Sequence, residues 1–531
     1  KTNILCRLST SAKMTTVLVL CILFILNIND ISAARILAVF PTPSISHQVV
    51  FRPLTHELAR RGHEVTVITT DPAHPPGQTP NNLTEIDVHD LSYKLWNDEI
   101  LGKSVGSKQD IYTQITTIFP VIFKIVTSQL ETKEVQDVIK TKTFDLLLLE
   151  AYTKPALIYS HFFKVPVIQV SSFGGLNFNY RTVGACSHPI LYPTQLQQKL
   201  YNLNNWDKLQ NLYNHWWFEN FQWKLEQEQN EILKSLFGSD FPSLYYLSNN
   251  VHMLFLNVNP LWVDNQPVPT NVVYIGGIHM AEPKELPEDL QSFLDSSKNG
   301  VIYFSLGTNV TPSVLPPTVI QMLVKVFSQL PYNVLWKWDK DVLPGQTKNI
   351  KIFKWLPQSD LLKHPHIKLF VTQGGLQSTD EAIRAGVPLI GIPMLADQWY
   401  NIQKYLRFEI GIQLDITSVT EDEFRNAVVT VAGDKRYREN IIRLRTLIND
   451  QPQSPLDRAV WWTEHLLRHG GAKHLRAAGA NISWADYLEL ELVFIISLIL
   501  VFVLALLYVF ICMLWKFIMK SFRVDNKRKV S

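Results

Sequence analysis

The sequence predicts an α/β fold of two facing Rossmann-like domains followed by a transmembrane helix. Short apolar runs alternate with helix-like segments in both halves of the 531 residues, which is typical of parallel strands joined by crossover helices. The uncharged stretch 492–515 is long enough to cross a bilayer. The predicted boundaries are 1–34 for a signal region, 35–285 and 286–470 for the two domains, 471–491 for a juxtamembrane segment, 492–515 for the span and 516–531 for a tail.

The composition bounds the classes of function. With 46% hydrophobic residues, the chain can bury two domain cores. A net charge of +3, with no basic patch interleaved with aromatic residues, argues against a nucleic-acid-binding protein. Of the four cysteines, Cys6 and Cys21 lie in the N-terminal leader and Cys512 in the C-terminal apolar segment, which leaves Cys186 in the globular part. The sequence therefore predicts neither an intradomain disulfide nor a Cys/His metal site.

The N-terminal segment has the pattern of a secretory signal. The apolar run 15–28 is followed by small residues at 32–34, which suits cleavage there, and we expect Met14 to be the initiator. A permanent signal anchor is the alternative, but the apolar run is short for it.

The first domain is predicted to open with a βαβ unit. Strand 36–40, loop 41–46, helix 47–61 and strand 64–69 follow one another, and ligands of such sheets lie beyond the carboxyl ends of the strands. His47 stands at a helix N-terminus, where the dipole favours a neutral imidazole. Glu150 ends strand 144–150 at the same edge. The alternatives are a capping or surface histidine and a solvated carboxylate at a strand end.

Other segments of this domain are less regular. Residues 72–98 are Pro- and Asn-rich and predict a loop or irregular insertion, and 103–139 predict one or two helices. Strands are expected at 165–171 and 251–257. The helical stretch 205–234 is crowded with aromatic residues, which usually belong to a core; a membrane-facing surface or the wall of a binding pocket is the alternative.

The second domain is predicted to start with strand 301–306, and its central stretch is 355–398. Strand 367–372 leads into a glycine turn and then a helix at 377–385, with Gly386 as its C-cap, and strand 387–392 follows. A glycine turn before a helix offers free N–H groups and a positive dipole end, which suit a diphosphate. An ordinary βαβ unit without a ligand is the alternative.

The stretch 355–398 resembles the signature of the UDP-glycosyltransferase family, the UDP-glucuronosyl- and UDP-glucosyltransferases of family 1 type. The matching residues are Trp355, Pro357, Gln358, His364, Pro365, Phe370, Thr372, Gly374, Gly375, Glu381, Gly386, Val387, Pro388, Pro393, Asp397 and Gln398. The resemblance implies the GT-B architecture, a UDP-sugar donor in the C-terminal domain and an acceptor in the N-terminal domain.

The resemblance also implies roles for individual residues. Trp355 would stack on uracil, Gln358 would hydrogen-bond it and Glu381 would hold the ribose. Asp397 and Gln398 would hold the sugar. The remaining donor-site residues are Ser305, Thr308, Gln373, Gly374, Gly375, Gln377 and Ser378. His47 matches the catalytic base, and Glu150 stands where the family has an aspartate that orients it.

Two departures from the family pattern bear on the donor. Gln373 stands where vertebrate and plant members carry histidine, and Gln377 where they carry asparagine, which resembles the invertebrate branch. The implied reaction is inverting transfer of a hexose, with glucose favoured over glucuronate, to hydroxyl groups of small lipophilic acceptors in detoxification-type conjugation. No cofactor or metal is expected; a cation held by Asp339 and Asp341 is the alternative.

Two rival functions retain donor binding: a UDP-sugar epimerase of the same fold and a non-catalytic lumenal binding protein. Basic residues after the span, including Lys527 and Lys529, predict a single-pass type I protein of the endoplasmic reticulum membrane, with a dilysine-like retrieval signal or a plain stop-transfer cluster. Three sequons, at Asn82, Asn309 and Asn481, would then face the lumen. The expected partners are a UDP-sugar, a lipophilic acceptor and the membrane, without nucleic acid, and the sequence is compatible with a homo-oligomer.

Overall fold

The computed structural model describes residues 33–101, 110–308 and 310–528, so the predicted signal region lies outside it except for Ala33 and Ala34. Chain contacts divide the protein into one unit that ends at Ala477 and a second that starts at Ala478. The strands are β1 (Arg35–Phe40), β2 (Glu64–Thr69), β3 (Leu83–Asp87), β4 (Leu146–Glu150), β5 (Val167–Ser171), β6 (Val251–Leu256), β7 (Val272–Tyr274), β8 (Val301–Ser305), β9 (Asn333–Lys337), β10 (Ile350–Phe353), β11 (Ile367–Thr372), β12 (Leu389–Gly391) and β13 (Gly411–Gln413).

The α-helices alternate with these strands. They are α1 (Ile45–Arg60), α2 (His89–Trp96), α3 (Ile111–Leu130), α4 (Lys133–Thr141), α5 (Ile158–Phe163), α6 (Asn177–Val183), α7 (Asn205–Phe237), α8 (Leu244–Leu247), α9 (Glu288–Ser296), α10 (Pro317–Ser328), α11 (Gln358–Leu362), α12 (Leu376–Ala385), α13 (Gln398–Arg407), α14 (Glu421–Gly433), α15 (Lys435–Asn449), α16 (Pro455–His469), α17 (Trp484–Tyr487) and α18 (Leu490–Arg528).

Two parallel sheets form the first unit. Their strand orders are β3-β2-β1-β4-β5-β6-β7 and β10-β9-β8-β11-β12-β13, and each order reverses direction beside its first strand, β1 or β8. The central strands are buried along their whole length, as in β4 and β8, because helices cover both faces of a parallel sheet. Ligand sites of doubly wound sheets lie where the strand order reverses, at the carboxyl ends of the strands. The predicted fold class is confirmed.

The segment 72–98 is more regular than the sequence predicts. It contains β3 and α2, and a π-helical turn continues α2 at Asn97–Leu101. Strand β3 lies at the edge of its sheet, and only its first residue is buried. An edge strand keeps polar side chains, so it lacks the continuous apolar run that marks a central strand.

Helix α16 belongs to the predicted second domain in sequence but packs on the first sheet. Its Ala459, Val460 and Leu466 share a buried cluster with residues of β1 and α1. Glu464 also accepts a hydrogen bond from Arg61, at 3.3 Å. The chain therefore returns to its N-terminal half before the second unit begins.

The second unit contains α17 and α18. Residues Leu490–Lys520 of α18 form an apolar stretch of 31 residues, and its most apolar part is not buried in the protein. This stretch is therefore a candidate membrane span. Helix α3 is also apolar enough, but half of it is buried as a core helix. The α18 helix continues to Arg528, beyond the predicted end of the span at 515.

Candidate active site

A cavity of about 680 Å³ is lined by residues that follow strands of both sheets. Its walls include the following predicted site residues: His47, Ser305, Thr308, Trp355, Gln358, Gln373, Gly375, Gln377, Ser378, Glu381, Asp397 and Gln398. Glu150 and Gly374 are not part of its wall but adjoin it through His47 and Gln373.

His47 and Glu150 form a hydrogen-bonded pair. The His47 Nδ1 atom lies 2.7 Å from Glu150 Oε1, and Glu150 is fully buried at the end of β4. The second carboxylate oxygen accepts a hydrogen bond from the Thr42 N–H, at 3.2 Å. Because a carboxylate can only accept, Nδ1 of His47 carries the proton, and Nε2 is the acceptor nitrogen of a neutral ring. This arrangement leaves a base available at the cavity.

Two glutamines that the sequence did not single out hold the loop before His47. The buried Gln48 side chain donates to the carbonyls of Phe40 and Thr42, at 3.0 and 3.2 Å. Gln129, from α3, donates to the Pro41 carbonyl at 3.1 Å. Gln48 directly follows the predicted base in sequence, which was the one available signal. These bonds fix the β1–α1 loop at the cavity.

The glycine turns of the second sheet meet around Gln373. Gly307 has a φ of +77°, and a Cβ atom there would overlap the Gln373 amide. Gly374 has a φ of +91°, and a Cβ atom there would overlap Ile402. Only glycine combines this backbone conformation with so close an approach. The Oε1 atom of Gln373 is buried and has no hydrogen-bond partner among the described residues. Gln373 itself lines the cavity.

Gln358 connects a cluster of polar side chains. Its Oε1 accepts from the Tyr303 hydroxyl at 3.0 Å, and its Nε2 donates to Ser378 Oγ at 2.8 Å and Glu381 Oε2 at 2.6 Å. Burial raises the pKa of the Glu381 carboxyl to about 7, although the bond from Gln358 opposes the shift. Gln358 and Glu381, which the resemblance assigns to uracil and to the ribose, thus belong to one hydrogen-bonded network.

Trp355 lies at the mouth of the cavity with 65% of its surface exposed, so its ring is open to a stacking partner. The Lys337 Nζ lies 4.7 Å from the ring centroid and donates to the Gly307 carbonyl at 2.8 Å. Burial lowers the pKa of Lys337. Lys337 was not among the predicted site residues. It lies at the end of β9, on the carboxyl edge of the sheet, and this position could have indicated that it belongs to the site.

Asp397 and Gln398 occupy the start of α13. The Asp397 Oδ2 accepts from Asn401 Nδ2 at 2.8 Å. Burial raises the pKa of Asp397 to about 6, although the hydrogen bond from Asn401 opposes the shift. Gln398 Oε1 accepts from the backbone N–H groups of Met394 and Leu395, at 2.7 and 2.8 Å, so this oxygen holds the preceding loop.

Several hydrogen bonds connect the half of the first unit built on one sheet to the half built on the other, across the site. Gln377 Nε2 donates to the Ser172 carbonyl at 3.0 Å, and the Trp262 indole N–H donates to Asn401 Oδ1 at 2.9 Å. The Ala396 N–H donates to Gln114 Oε1 at 2.9 Å. Gln377, which the resemblance assigns to the UDP-sugar site, therefore also connects the two halves of the first unit.

The wall contributed by the first sheet and its helices is largely apolar. His47 has Tyr152 and Phe173 in edge contact, with ring centroids at 6.1 and 5.9 Å. The apolar side chains of this wall are Ile45, Val49, Trp96, Ile100, Ile118, Tyr152, Phe173 and Leu196. The cavity thus joins a polar end, on the second sheet, to an apolar end beside the histidine.

The alternative cation site and the three sequons lie away from this cavity or outside the described residues. Asp339 accepts hydrogen bonds from Ser313, and Asp341 pairs with Lys354 at 2.7 Å; neither carboxylate lines the cavity. No group of three or more metal-ligating side chains occurs among residues 33–101, 110–308 and 310–528. Asn82 is exposed before β3, Asn481 is only 7% exposed, and Asn309 lies outside the described residues.

Comparison with known proteins identifies the family. Residues 35–528 match the family model described as UDP-glucoronosyl and UDP-glucosyl transferase. The chain belongs to this family. It is 37% identical over 481 residues to an ecdysteroid UDP-glucosyltransferase of the Spodoptera littoralis nuclear polyhedrosis virus, covering 87% of this chain and 93% of the relative. It is 32% identical over 477 residues to UDP-glucosyltransferase 2 of Dactylopius coccus, covering 89% and 91%.

Solved structures support the same fold. The calicheamicin glycosyltransferase CalG4 aligns with a TM-score of 0.56 at 17% identity, over 82% of this chain and 99% of that one. The Arabidopsis thaliana UGT89C1 structure aligns with a TM-score of 0.56 at 14% identity, over 82% and 100%. The chain is a GT-B UDP-glycosyltransferase, which uses a UDP-sugar donor and a hydroxyl-bearing acceptor.

Proposed function

We propose that this UDP-glycosyltransferase moves glucose from UDP-glucose to a hydroxyl group of a small lipophilic acceptor, with inversion at C1. His47 takes the hydroxyl proton as the acceptor oxygen forms its bond to C1, and the bond from C1 to the UDP oxygen breaks on the opposite face. UDP leaves with the electron pair. Glu150 holds the imidazole and stabilises the imidazolium that forms.

The observation that carries this proposal is the 2.7 Å contact between His47 and Glu150 at the junction of the polar and apolar ends of the cavity. A base that accepts through Nε2 suits an acceptor bound on the apolar wall. The glycine turns and the N-terminus of α12 suit a diphosphate, whose negative charge they stabilise as it departs. We propose that no metal ion is required.

The preference for glucose rests on the surroundings of Asp397. A uronate would bring a second carboxylate to the end of the cavity that Asp397 already lines. Lys337 is instead directed to Gly307 and the Trp355 ring. The names of the relatives, which are UDP-glucosyltransferases, agree with this preference. An uncharged hexose therefore fits better than glucuronate.

The acceptor is proposed from the apolar wall. Aromatic and aliphatic side chains dominate it, so it would bind a rigid lipophilic alcohol or phenol. Because a viral relative is named for ecdysteroids, a hydroxylated steroid is a reasonable member of a test panel. We propose a conjugating, detoxification-type role at the endoplasmic reticulum membrane.

The test is UDP release by the full chain with UDP-glucose or UDP-glucuronate, with and without a simple phenol or a hydroxylated steroid. We expect acceptor-dependent release that is faster with UDP-glucose, unchanged by a chelator, and a β-glucoside as product. Comparable turnover with UDP-glucuronate would overturn the donor preference, and loss of activity on chelation would overturn the metal-free mechanism. Conversion of the UDP-sugar without acceptor would favour an epimerase, and binding without turnover a carrier.

A further inference from the structure

Helix α7 exposes an apolar face that its role in the fold leaves uncovered. Trp206, Trp216 and Trp223 are 70%, 59% and 61% exposed. The predicted core position is therefore wrong for these three tryptophans. With Leu209, Leu212 and Tyr213, which are also exposed, they fall within about a third of the helix circumference at about 100° per residue. We refer to these six residues as the outer α7 face.

The opposite side of α7 is enough to hold the helix. Phe218 and Leu225 are buried in a cluster with Phe119 of α3, and the partly buried Trp217 and Phe221 pack against that cluster. Asn204 and Asp207 cap the N-terminus reciprocally. The six outer residues thus add little to the core, and replacing them by polar residues should leave the fold intact.

The charges around the outer face have one sign. Within residues 205–227 of α7, all of which the structure describes, each acidic side chain is paired with a cation of the protein, and the exposed charged side chains are lysines. The pairs are Lys199–Asp207 at 2.6 Å, Arg181–Glu219 at 2.5 Å and Lys154–Glu226 at 2.5 Å. Lys208 and Lys224 are exposed and flank the face on either side. The surface is therefore apolar with a positive border.

We infer that the outer α7 face lies on an anionic lipid surface, with its three tryptophans and Tyr213 at the level of the headgroups. Tryptophan and tyrosine prefer this interface because the ring is apolar and its N–H or O–H remains wet. Lysines beside such a helix are attracted to anionic lipids. The candidate span in α18 would hold the chain at a bilayer, which makes lipid the partner at highest effective concentration.

A second copy of the chain is the competing occupant, and the charges disfavour it. Apolar residues at positions 206, 209, 213, 216 and 223 have the spacing of a coiled-coil seam. However, a coiled coil prefers aliphatic residues at these positions, and a symmetric pair would bring Lys208 and Lys224 of both copies into the same interface. Along α7 itself, the exposed acidic residues begin at Glu228. An anionic bilayer would attract Lys208 and Lys224, whereas a second copy of the chain would repel them.

The test places a fluorescent label on each side of this boundary. The full chain, with its four native cysteines replaced by serine, is given one cysteine as Tyr213→Cys or, as the matched control on the same helix, Glu228→Cys. Each protein carries an environment-sensitive label and is reconstituted in vesicles of phosphatidylcholine and phosphatidylserine. We expect the label at 213 to emit at shorter wavelength, with quenching by nitroxide lipids, while the label at 228 is quenched by aqueous iodide.

A further variant separates this contact from the anchor. Trp206→Ser/Trp216→Ser/Trp223→Ser should move the label at 213 into water while the chain stays in the vesicle through α18, with unchanged circular dichroism and UDP binding. Equal iodide quenching at 213 and 228 in the unsubstituted protein would overturn the inference. Cross-linking between chains through the cysteine at 213, with shielding from nitroxide lipid, would overturn it in favour of self-association.

Discussion

His47 can accept a proton through Nε2 only while its Nδ1 proton is directed elsewhere, and Glu150 is the group that directs it. The two residues lie 103 positions apart and meet because β1 and β4 are adjacent parallel strands whose carboxyl ends share one edge. The longer glutamate still reaches the ring, with its second oxygen fixed by the Thr42 N–H. The proposed mechanism makes the carboxylate act solely through the imidazole.

His47→Ala should lower turnover by at least about 10²-fold while UDP-glucose binding stays nearly unchanged, because a general base contributes about 10²–10⁴-fold. Glu150→Gln keeps an acceptor for the ring but removes the charge that stabilises imidazolium, so its loss should be smaller. Glu150→Asp shortens the reach and should give an intermediate loss. The measurements are kcat and the dissociation constant of UDP-glucose for each variant.

The double variant His47→Ala/Glu150→Gln should be little worse than His47→Ala alone, since the two residues act as one unit. Fully additive losses would show that Glu150 acts independently of the ring. Near-normal turnover in His47→Ala would contradict the proposed base.

The raised pKa values of Asp397 and Glu381 predict pH-dependent donor binding. The pKa is about 6 for the Asp397 carboxyl and about 7 for the Glu381 carboxyl, so both become protonated as the pH falls from 8 to 5. Hydrogen bonds to charged groups contribute about 1.5–3 kcal/mol, and protonation of each carboxyl removes a charged acceptor for the hydroxyl groups of the ligand. UDP-glucose affinity should therefore fall with the pH. Calorimetry on His47→Ala measures this without titration of the base.

The two carboxyls can be separated with matched ligands. Asp397→Asn should remove the part of the pH dependence that lies near pH 6 for UDP-glucose, and it should have little effect on UDP, which lacks the sugar. Glu381→Gln should remove the part near pH 7 for both ligands. Constant affinity from pH 8 to 5 would rule out the hydrogen-bonding role of these carboxylates.

At the scale of elements, the site depends on strand–turn–helix units whose turns allow no side chain. The turn after β8 places Gly307 against Gln373, and the turn after β11 places Gly374 against the helix α13. Both glycines have a positive φ. The backbone turns at the polar end of the cavity therefore require glycine at these two positions.

Gly307→Ala should weaken UDP binding by at least about tenfold, because the added methyl group displaces the Gln373 amide from the turn. The left-handed conformation adds a stability cost of about 1–3 kcal/mol. Gly345→Ala is the control: its φ is +75°, but its Cβ would meet only Val324, at 3.5 Å. Both variants should lose similar stability in thermal unfolding, and only Gly307→Ala should lose affinity. Equal affinities would contradict a ligand role for this turn.

At the scale of the whole molecule, the two halves of the first unit are held together by polar contacts as well as by α16. The buried Lys404 of α13 pairs with Asp264 at 2.6 Å, and the same ammonium lies 2.6 Å from the Tyr201 hydroxyl. Burial lowers the pKa of Lys404 to about 8, although the Asp264 charge opposes the shift. The cavity lies between halves that are already in contact.

The proposed type I topology predicts which sequon carries a glycan. Asn82 is exposed at the turn before β3, whereas Asn481 is buried, so Asn82 should be modified in the lumen. Glycosidase treatment of microsomal protein should lower the apparent mass, and Asn82→Gln should abolish that shift. A protein that carries no glycan and whose C-terminus resists external protease would have another orientation.

Sequence periodicity was sufficient for the central parts of both sheets. Strands β2 and β11 have the predicted bounds, because buried parallel strands are continuous apolar runs. Helix α12 ends at Ala385, before the predicted C-cap Gly386, because a helix end has a local signal. The stretch 355–398 likewise specified its βαβ unit and the family. These features are local, so neighbouring residues were enough to reveal them.

The tertiary structure decided what distant residues share. It brought Gln129 to the loop before His47, Trp262 to Asn401, and α16 to the first sheet. It also turned three of the four tryptophans of α7 outward, which an aromatic count cannot predict because it does not tell which face is covered. The edge strand β3 was missed for the same reason: its environment comes from its position in the sheet. Burial and pairing are set by packing between segments, and a sequence read alone contains only the order along one chain.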